Sequence, residues 1–194
     1  MNSFVRAAAV AAGLLSSGAL AANAAPVQGY TVPGAVQAGT QVASTPAPLA
    51  DAMRGRPLEE QVAAYQRTDT DNQEQDCLAS AVYFEARGEP LDGQLAVAEV
   101  VMNRAASGRY PATLCGVVEQ PWQFSFVNAT GRIPAANRAS EAWRRAVAIA
   151  RIAQDGVRDQ LSSDVLWYHA EYVNPSWGRR LARTAKIGLH IFYR

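Results

Sequence analysis

The segment "AVYFEARGEPLDGQ", residues 81–94, places the carboxylate of Glu85 inside an apolar run. Residues three and four positions apart lie on the same side of a helix. Leu78, Ala81 and Val82 would then share a face with Glu85, so its carboxylate would have apolar neighbours. Burial disfavours the charged form of a carboxyl group and raises its pKa. A carboxylic acid that stays protonated near neutral pH can protonate a leaving group.

A structural role is the alternative for both acidic residues of this segment. A buried Glu85 could form an ion pair with Arg87 or Arg104. Glu89 follows Gly88 in a predicted turn, where it could cap the next helix or contact a substrate. Position alone favours the capping role for Glu89 and leaves the role of Glu85 open.

Aromatic and polar residues are interleaved in the second half of the chain, a pattern typical of a sugar-binding cleft. Aromatic faces stack on sugar rings, and amides and hydroxyls orient the sugar hydroxyl groups. We expect about half of these aromatics to fill the core instead. The aromatics in question are Trp122, Phe124, Trp167, Tyr168, Tyr172 and Trp177.

We predict a cleft floored by Glu85 and walled by residues 123–125 and 167–169. Side chains of adjacent strand residues point to opposite faces. Only one of Tyr168 and His169 can therefore face the cleft squarely, and the neutral hydroxyl of Tyr168 favours that residue. The predicted substrate-binding residues are Glu89, Gln123, Phe124, Ser125, Tyr168 and His169.

The histidines give a weak metal signal. His169 and His190 are the only two, and no HExxH-type spacing accompanies them. A catalytic zinc site needs three protein ligands. We therefore predict neither a metal nor another cofactor.

The N-terminus has the pattern of a secretory signal peptide. Arg6 precedes a short apolar stretch, and small residues follow it. The motif that ends at Ala24 is one possible cleavage site, and the motif that ends at Ala21 is the other. The stretch is shorter than the roughly 20 residues that a spanning helix needs. We expect residues 1–24 to be removed, no stable membrane anchor afterwards, and export to the periplasm or cell wall.

The chain has two cysteines, Cys77 and Cys115. Two cysteines in an exported protein favour one disulfide over two free buried thiols. The bridge would close a loop of about 39 residues and stabilise the fold by about 4 kcal/mol in the chain-entropy model.

Residues 25–70 are expected to form a largely disordered linker, because residues 25–50 are rich in Ala, Pro, Gly and Gln. Residues 51–70 are more polar and charged, and could be partly helical. Residues 71–194 should form one domain. Caps and periodicity predict helices over about 72–87, 92–106, 113–119 and 141–155. Strands are predicted at 165–170 and on both sides of Gly188. The fold class is therefore α+β, with a small antiparallel sheet near the C-terminus. The formal net charge of +1 argues against a dedicated nucleic-acid binder.

Three segments together resemble the SleB-type cell-wall hydrolases, the family named for spore-cortex-lytic enzymes. They are "CLASAVYFEARGEPLDGQLAVAEVVMNR", "YPATLCGVVEQPWQFSF" and "WYHAEYVNPSWGRRLARTAKIGLHIFYR". The resemblance implies a compact domain related to lysozyme and lytic-transglycosylase folds, with peptidoglycan glycan strands as substrate. It also implies that the first glutamate of E-A-R-G-E, which is Glu85, is the general acid. Spore enzymes of this family often carry an upstream wall-binding domain, for which residues 25–70 are too short. General wall remodelling is thus expected rather than germination.

The resemblance leaves the chemistry open. A lytic transglycosylase needs one carboxylate, whereas ordinary glycoside hydrolysis uses two. Glu89, Asp92 or Glu171 could supply the second. A metal-dependent amidase and a non-catalytic wall-binding module are two further functions that the residues leave open.

Overall fold

Six helices and a three-stranded sheet make up residues 47–194, the part of the chain that the computed structural model describes. The predicted signal peptide and the first part of the predicted linker, residues 1–46, lie outside the described residues. No helix within 47–194 is long and apolar enough to cross a membrane. The elements are α1 (Ala47–Met53), α2 (Leu58–Tyr65), α3 (Gln73–Ala86), α4 (Leu91–Ala106), α5 (Leu114–Val118), α6 (Glu141–Gln154), β1 (Trp167–Ala170), β2 (Arg183–Ile187) and β3 (His190–Tyr193).

The helices begin where their caps predict. The Asn72 side chain accepts a hydrogen bond from the backbone N–H of Gln75 at 2.9 Å, which satisfies a free donor in the first turn of α3. Ser140 does the same for the N–H of Trp143 at 3.1 Å, at the start of α6.

The core forms where α3 and α4 pack against α6. Trp143 of α6 is fully buried, and its ring meets that of Tyr83 on α3 edge to face. Val97 and Val100 of α4 are also fully buried. Each such side chain stabilises the fold by about 1.5–3 kcal/mol relative to exposure. This layer of helices supports the end of α3, where Glu85 lies.

A disulfide between Cys77 and Cys115 joins α3 to α5, as the sequence predicts. The carboxylate of Glu74, on the first turn of α3, accepts a hydrogen bond from the N–H of Leu114 at 2.6 Å. The start of α5 is thus tied to α3 by one covalent bond and one charge-assisted hydrogen bond.

The sheet is antiparallel, with the strand order β1-β3-β2. Gly188 forms the turn between β2 and β3 with φ 57°, a conformation that favours glycine. A side chain at this position would also collide with the carboxylate of Glu89. The predicted α+β class, with a small sheet near the C-terminus, is confirmed.

The structure differs from the predicted linker over residues 47–65, which form α1 and α2. Leu58, Val62 and Tyr65 are buried, and α2 packs on α6. Gln61 also donates a hydrogen bond to the carbonyl oxygen of Met53 at 2.9 Å, which joins the two helices. This stretch is short and charged, so its own sequence does not predict burial. Its apolar residues are buried because α2 packs on α6, which is distant in the chain.

The packing of α2 predicts a stability effect within the expected linker. Leu58→Ala should lower the free energy of unfolding by about 2–4 kcal/mol, because it leaves a cavity against α6. Glu59→Ala, which changes the exposed neighbour, should alter it by less than about 0.5 kcal/mol. Denaturant unfolding measures both. Equal, small effects would show that α2 is not part of the folded unit.

Candidate active site

A cavity of about 220 Å³ opens beside the C-terminal end of α3. Its walls come from α3, from the loop after α5, from β1 with the loop that follows it, and from the start of β3. The lining residues are Phe84, Glu85, Ser125, Tyr168, His169, Ala170, Tyr172, Val173 and His190. The cavity thus combines one carboxyl group with aromatic, imidazole and hydroxyl groups.

Glu85 lies on the apolar face of α3, as predicted, and Leu78, Ala81 and Val82 on that face are fully buried. The residue keeps part of its surface open to the cavity. Desolvation of its carboxyl group raises the pKa, and hydrogen bonds from Ser125 offset part of that rise. Glu85 therefore stays protonated to a higher pH than an ordinary glutamate does.

Two hydroxyl groups bind the Glu85 carboxyl group. The Ser125 hydroxyl donates to Oε1 at 3.1 Å, and the Tyr168 phenol donates to Oε2 at 3.5 Å. Burial and the nearby charge of Glu85 raise the pKa of Tyr168 well above its ordinary value. The phenol thus stays a neutral hydrogen-bond donor. Both hydroxyls stabilise the carboxylate form once the proton has left.

The ion-pair alternative for Glu85 is not what the structure contains. Within residues 47–194, no salt bridge includes Glu85. Arg87 is exposed and lies over the ring of Tyr83 at 4.9 Å. Arg104 is buried and donates through Nε to the carbonyl oxygen of Leu166 at 2.8 Å. Its charge lowers the pKa of Glu85 without a direct contact.

Two of the predicted substrate-binding residues have other contacts. Phe124 is only 2% exposed and packs near the Arg104 guanidinium, so its ring has no open face for a sugar. Gln123 is not among the residues that line the cavity. The aromatic pattern of the sequence could not show that Phe124 is a core ring, because Phe124 lies in an irregular loop without a period that would mark its buried face.

His169 lines the cavity, but its ring nitrogens already have partners. Nδ1 donates to the carbonyl oxygen of Ala170 at 2.8 Å, so Nε2 accepts from the Tyr193 hydroxyl at 2.8 Å. The ring is buried and stacks on that of Tyr193. Tyr168, its neighbour in β1, contacts Glu85. Alternation predicted that only one of the two residues faces the cleft squarely, whereas both line the cavity.

Glu89 holds the hairpin in place rather than lining the cavity. Its Oε2 accepts a hydrogen bond from the N–H of Leu189 at 2.8 Å, and its carbonyl oxygen accepts one from Gln94 at 2.9 Å. It does not cap α4 through its side chain. These contacts fasten the β2–β3 turn to the start of α4. The sequence gives no sign of this pairing, because the two residues are 100 positions apart.

His190 is a cavity residue that sequence reasoning considered only as a metal ligand. Its ring meets that of Tyr168 edge to face at 5.1 Å. Desolvation lowers the pKa of His190, so the imidazole is neutral near pH 7. Alternation along β3, which puts His190 and Phe192 on one face of the sheet, could have indicated its position.

Potential metal ligands converge at one place in residues 47–194, at Cys77, Cys115 and Glu119. The two cysteines form the disulfide, which removes the thiolates that a metal would need. The chemistry of this donor set therefore does not fit a metal ion.

A family model described as Cell Wall Hydrolase matches residues 88–193 and begins just after Glu85. Two curated relatives are spore cortex-lytic enzymes. The one from Bacillus subtilis is 38% identical over 59% of this chain and 35% of its own length. The one from Bacillus cereus is 36% identical over 59% of this chain and 42% of its own length. The chain therefore spans well under half the length of these relatives.

Two solved structures resemble this chain. The catalytic domain of the germination-specific lytic transglycosylase SleB from Bacillus anthracis has a TM-score of 0.52 and 35% identity, over 63% of this chain and 96% of that domain. The catalytic domain of Bacillus cereus SleB has a TM-score of 0.51 and 34% identity, over 62% of this chain and 89% of that domain. The similarity covers nearly all of each solved domain.

The contacts of Glu85 predict how its pKa responds to substitution. Ser125→Ala removes a donor that stabilises the carboxylate, so the pKa of Glu85 should rise further. Ser162→Ala is a matched control, because it removes a serine hydroxyl that donates to the distant carboxylate of Asp164. A carboxyl-detected NMR titration of labelled glutamates measures the change. A fall in the Glu85 pKa in Ser125→Ala would contradict the assignment.

Proposed function

This chain belongs to the cell wall hydrolase family, and from that premise we propose that it cleaves peptidoglycan glycan strands between N-acetylmuramic acid and N-acetylglucosamine. In this proposal it acts as a lytic transglycosylase. The observation that carries the proposal is the Glu85 carboxyl group, which burial favours in its protonated form at the wall of an aromatic-lined cavity. The similarity to a solved lytic transglycosylase domain supports the same reaction.

In the proposed reaction, Glu85 donates its proton to the glycosidic oxygen. The bond between that oxygen and C1 of the muramic acid breaks, and the next sugar leaves as an alcohol. The 6-hydroxyl of the same muramic acid then attacks C1 and gives its proton to the Glu85 carboxylate. The products are a 1,6-anhydro end and a new non-reducing end, and the acid is regenerated. Ser125 and Tyr168 stabilise the carboxylate between the two proton transfers.

The other carboxylates considered for a second catalytic role are not among the residues that line the cavity, and each has a partner of its own. Glu89 binds the N–H of Leu189, and Glu171 forms an ion pair with Lys186. Asp92 lies 3.7 Å from Arg158. Among the described residues that line the cavity, Glu85 is the one carboxylate. A hydrolase with two flanking carboxylates would need a second one there, so these contacts favour transglycosylation.

We also propose that the protein is exported and works in the periplasm or cell wall. The signal-like N-terminus supports export, and so does the Cys77–Cys115 disulfide, because such bonds persist in oxidising compartments. We place the start of the catalytic unit upstream of residue 71, because α2 packs on α6.

Replacing Glu85 tests the proposal directly. Glu85→Gln keeps the shape of the side chain but cannot donate the required proton, so turnover should fall at least about 10²–10⁴-fold. Glu99→Gln is not a suitable control, because Glu99 is buried; Glu141→Gln alters an exposed carboxylate on α6 and should leave turnover unchanged. Release of soluble muropeptides from purified peptidoglycan measures the rate.

The products distinguish the candidate reactions in the same digest. Mass analysis should find 1,6-anhydro ends, and the digestion should proceed in the presence of a strong chelator. Reducing ends would indicate hydrolysis instead, and freed stem peptides lost on chelation would indicate a metal-dependent amidase. A folded Glu85→Gln protein that releases fragments at the wild-type rate would exclude the proposed role of Glu85.

A further inference from the structure

The loop that carries Ser125 begins with a turn whose third residue is unusual. The N–H of Gln123 donates to the carbonyl oxygen of Gln120 at 3.1 Å, and Pro121 is the second residue of the turn. The third residue, Trp122, has φ 65°. A turn with proline second and a positive φ third is of type II, and its third position usually holds glycine. Within residues 47–194, Trp122 is the one non-glycine residue with positive φ.

Burial of the indole does not offset this backbone strain. Trp122 is 63% exposed, whereas Trp143 is fully buried in the core. A bulky residue in the left-handed region costs free energy, and such strain is found mainly at functional sites. Glycine at this position would make the fold more stable, because it adopts a positive φ without strain. The indole must therefore have a benefit other than stability.

The turn lies between two parts of the loop whose backbone contacts restrict its position. On one side of the turn, Gly131 lies against the carbonyl oxygen of Glu119, and an added Cβ would be only 2.7 Å from that oxygen. On the other side, the buried Phe124 begins a second turn, which the N–H of Val127 closes at 3.1 Å. An aromatic residue on a fixed support loses little conformational entropy when it binds a ligand.

The position of Trp122 along the chain relates it to the reacting bond. Ser125, three residues later, donates its hydroxyl to Glu85. Three residues span at most about 10 Å, so the Cα atoms of Trp122 and Ser125 are close together. Trp122 is not among the residues that line the cavity. A glycan that is cut at Glu85 extends in both directions from the cleaved bond, so Trp122 would meet a ring of the strand outside the cavity.

We propose that Trp122 is a glycan-binding residue that stacks its indole on a sugar ring of the strand being cut, at a position beyond the two rings joined by the bond that Glu85 cleaves. The inference rests on the proposed function for the identity of the ligand. It adds a subsite outside the cavity and a reason for the strained turn: the side chain is retained for binding at the expense of stability.

The experiment separates binding from catalysis by using the Glu85→Gln protein, which should bind glycan without cutting it. Soluble glycan strands, freed of their stem peptides, serve as the probe. Adding Trp122→Ala should weaken binding about tenfold, which corresponds to about 1.4 kcal/mol. Trp122→Phe, which retains an aromatic face, should bind within about threefold of the parent. Leu189→Ala, a change at another exposed apolar residue, should leave binding unchanged.

Thermal melting gives a second readout, which reports the strain of the turn independently of glycan binding. Trp122→Gly should bind as weakly as Trp122→Ala but melt a few degrees above it, because glycine adopts the positive φ without strain. Strand binding by Trp122→Ala equal to that of the parent would overturn the inference and leave the proposed function standing. A loss that Trp122→Phe shares fully would also overturn it. Cleavage by the Glu85→Gln protein would instead overturn the proposed function.

Discussion

The carboxyl group of Glu85 lies where three segments of the chain meet. These segments partly remove it from water. Helix α3 supplies the group at the end of an apolar stripe. The loop after α5 supplies the Ser125 hydroxyl, and β1 supplies the Tyr168 phenol. Desolvation favours the protonated acid, and the two hydroxyls favour the carboxylate. In the proposed reaction Glu85 releases a proton and later recovers it, and such an acid needs both influences.

The segments around the cavity are held by specific ties as well as by apolar packing. The disulfide and Glu74 fix the start of α5 to α3, which also carries Glu85. The buried Arg104 fixes the backbone at Leu166, one residue before β1. Glu89 fixes the turn between β2 and β3. If apolar side chains alone held the segments around the cavity, those side chains would fill the cavity. Polar and covalent contacts fix its geometry while leaving the space open.

Local signals predicted most of the fold. Asn72 and Ser140 marked helix starts, and Gly188 marked the hairpin. The contacts that sequence reasoning missed all join residues far apart in the chain. Glu89 meets Leu189 only because a strand turn packs on α4, and the burial of α2 depends on α6. Such pairings depend on tertiary packing, which the period and spacing of a single chain do not encode.

A raised pKa does not by itself identify the catalytic acid, as a comparison of two buried glutamates shows. Burial raises the pKa of Glu99 on α4 to about 7. Both of its oxygens accept backbone hydrogen bonds, from Gln160 at 2.9 Å and from Leu161 at 3.0 Å, so they fix the loop after α6.

Each raised pKa favours the folded state most fully below the ordinary glutamate pKa, and that contribution is lost as pH rises through the folded-state value. For Glu99 the loss extends from about pH 4.5 to about pH 7. The two residues differ in their surroundings rather than in the direction of the pKa shift. The donors to Glu85 are side-chain hydroxyls at an open cavity, where a sugar oxygen can approach the carboxyl group. Those of Glu99 are the backbone N–H groups of Gln160 and Leu161, and Glu99 does not line the cavity.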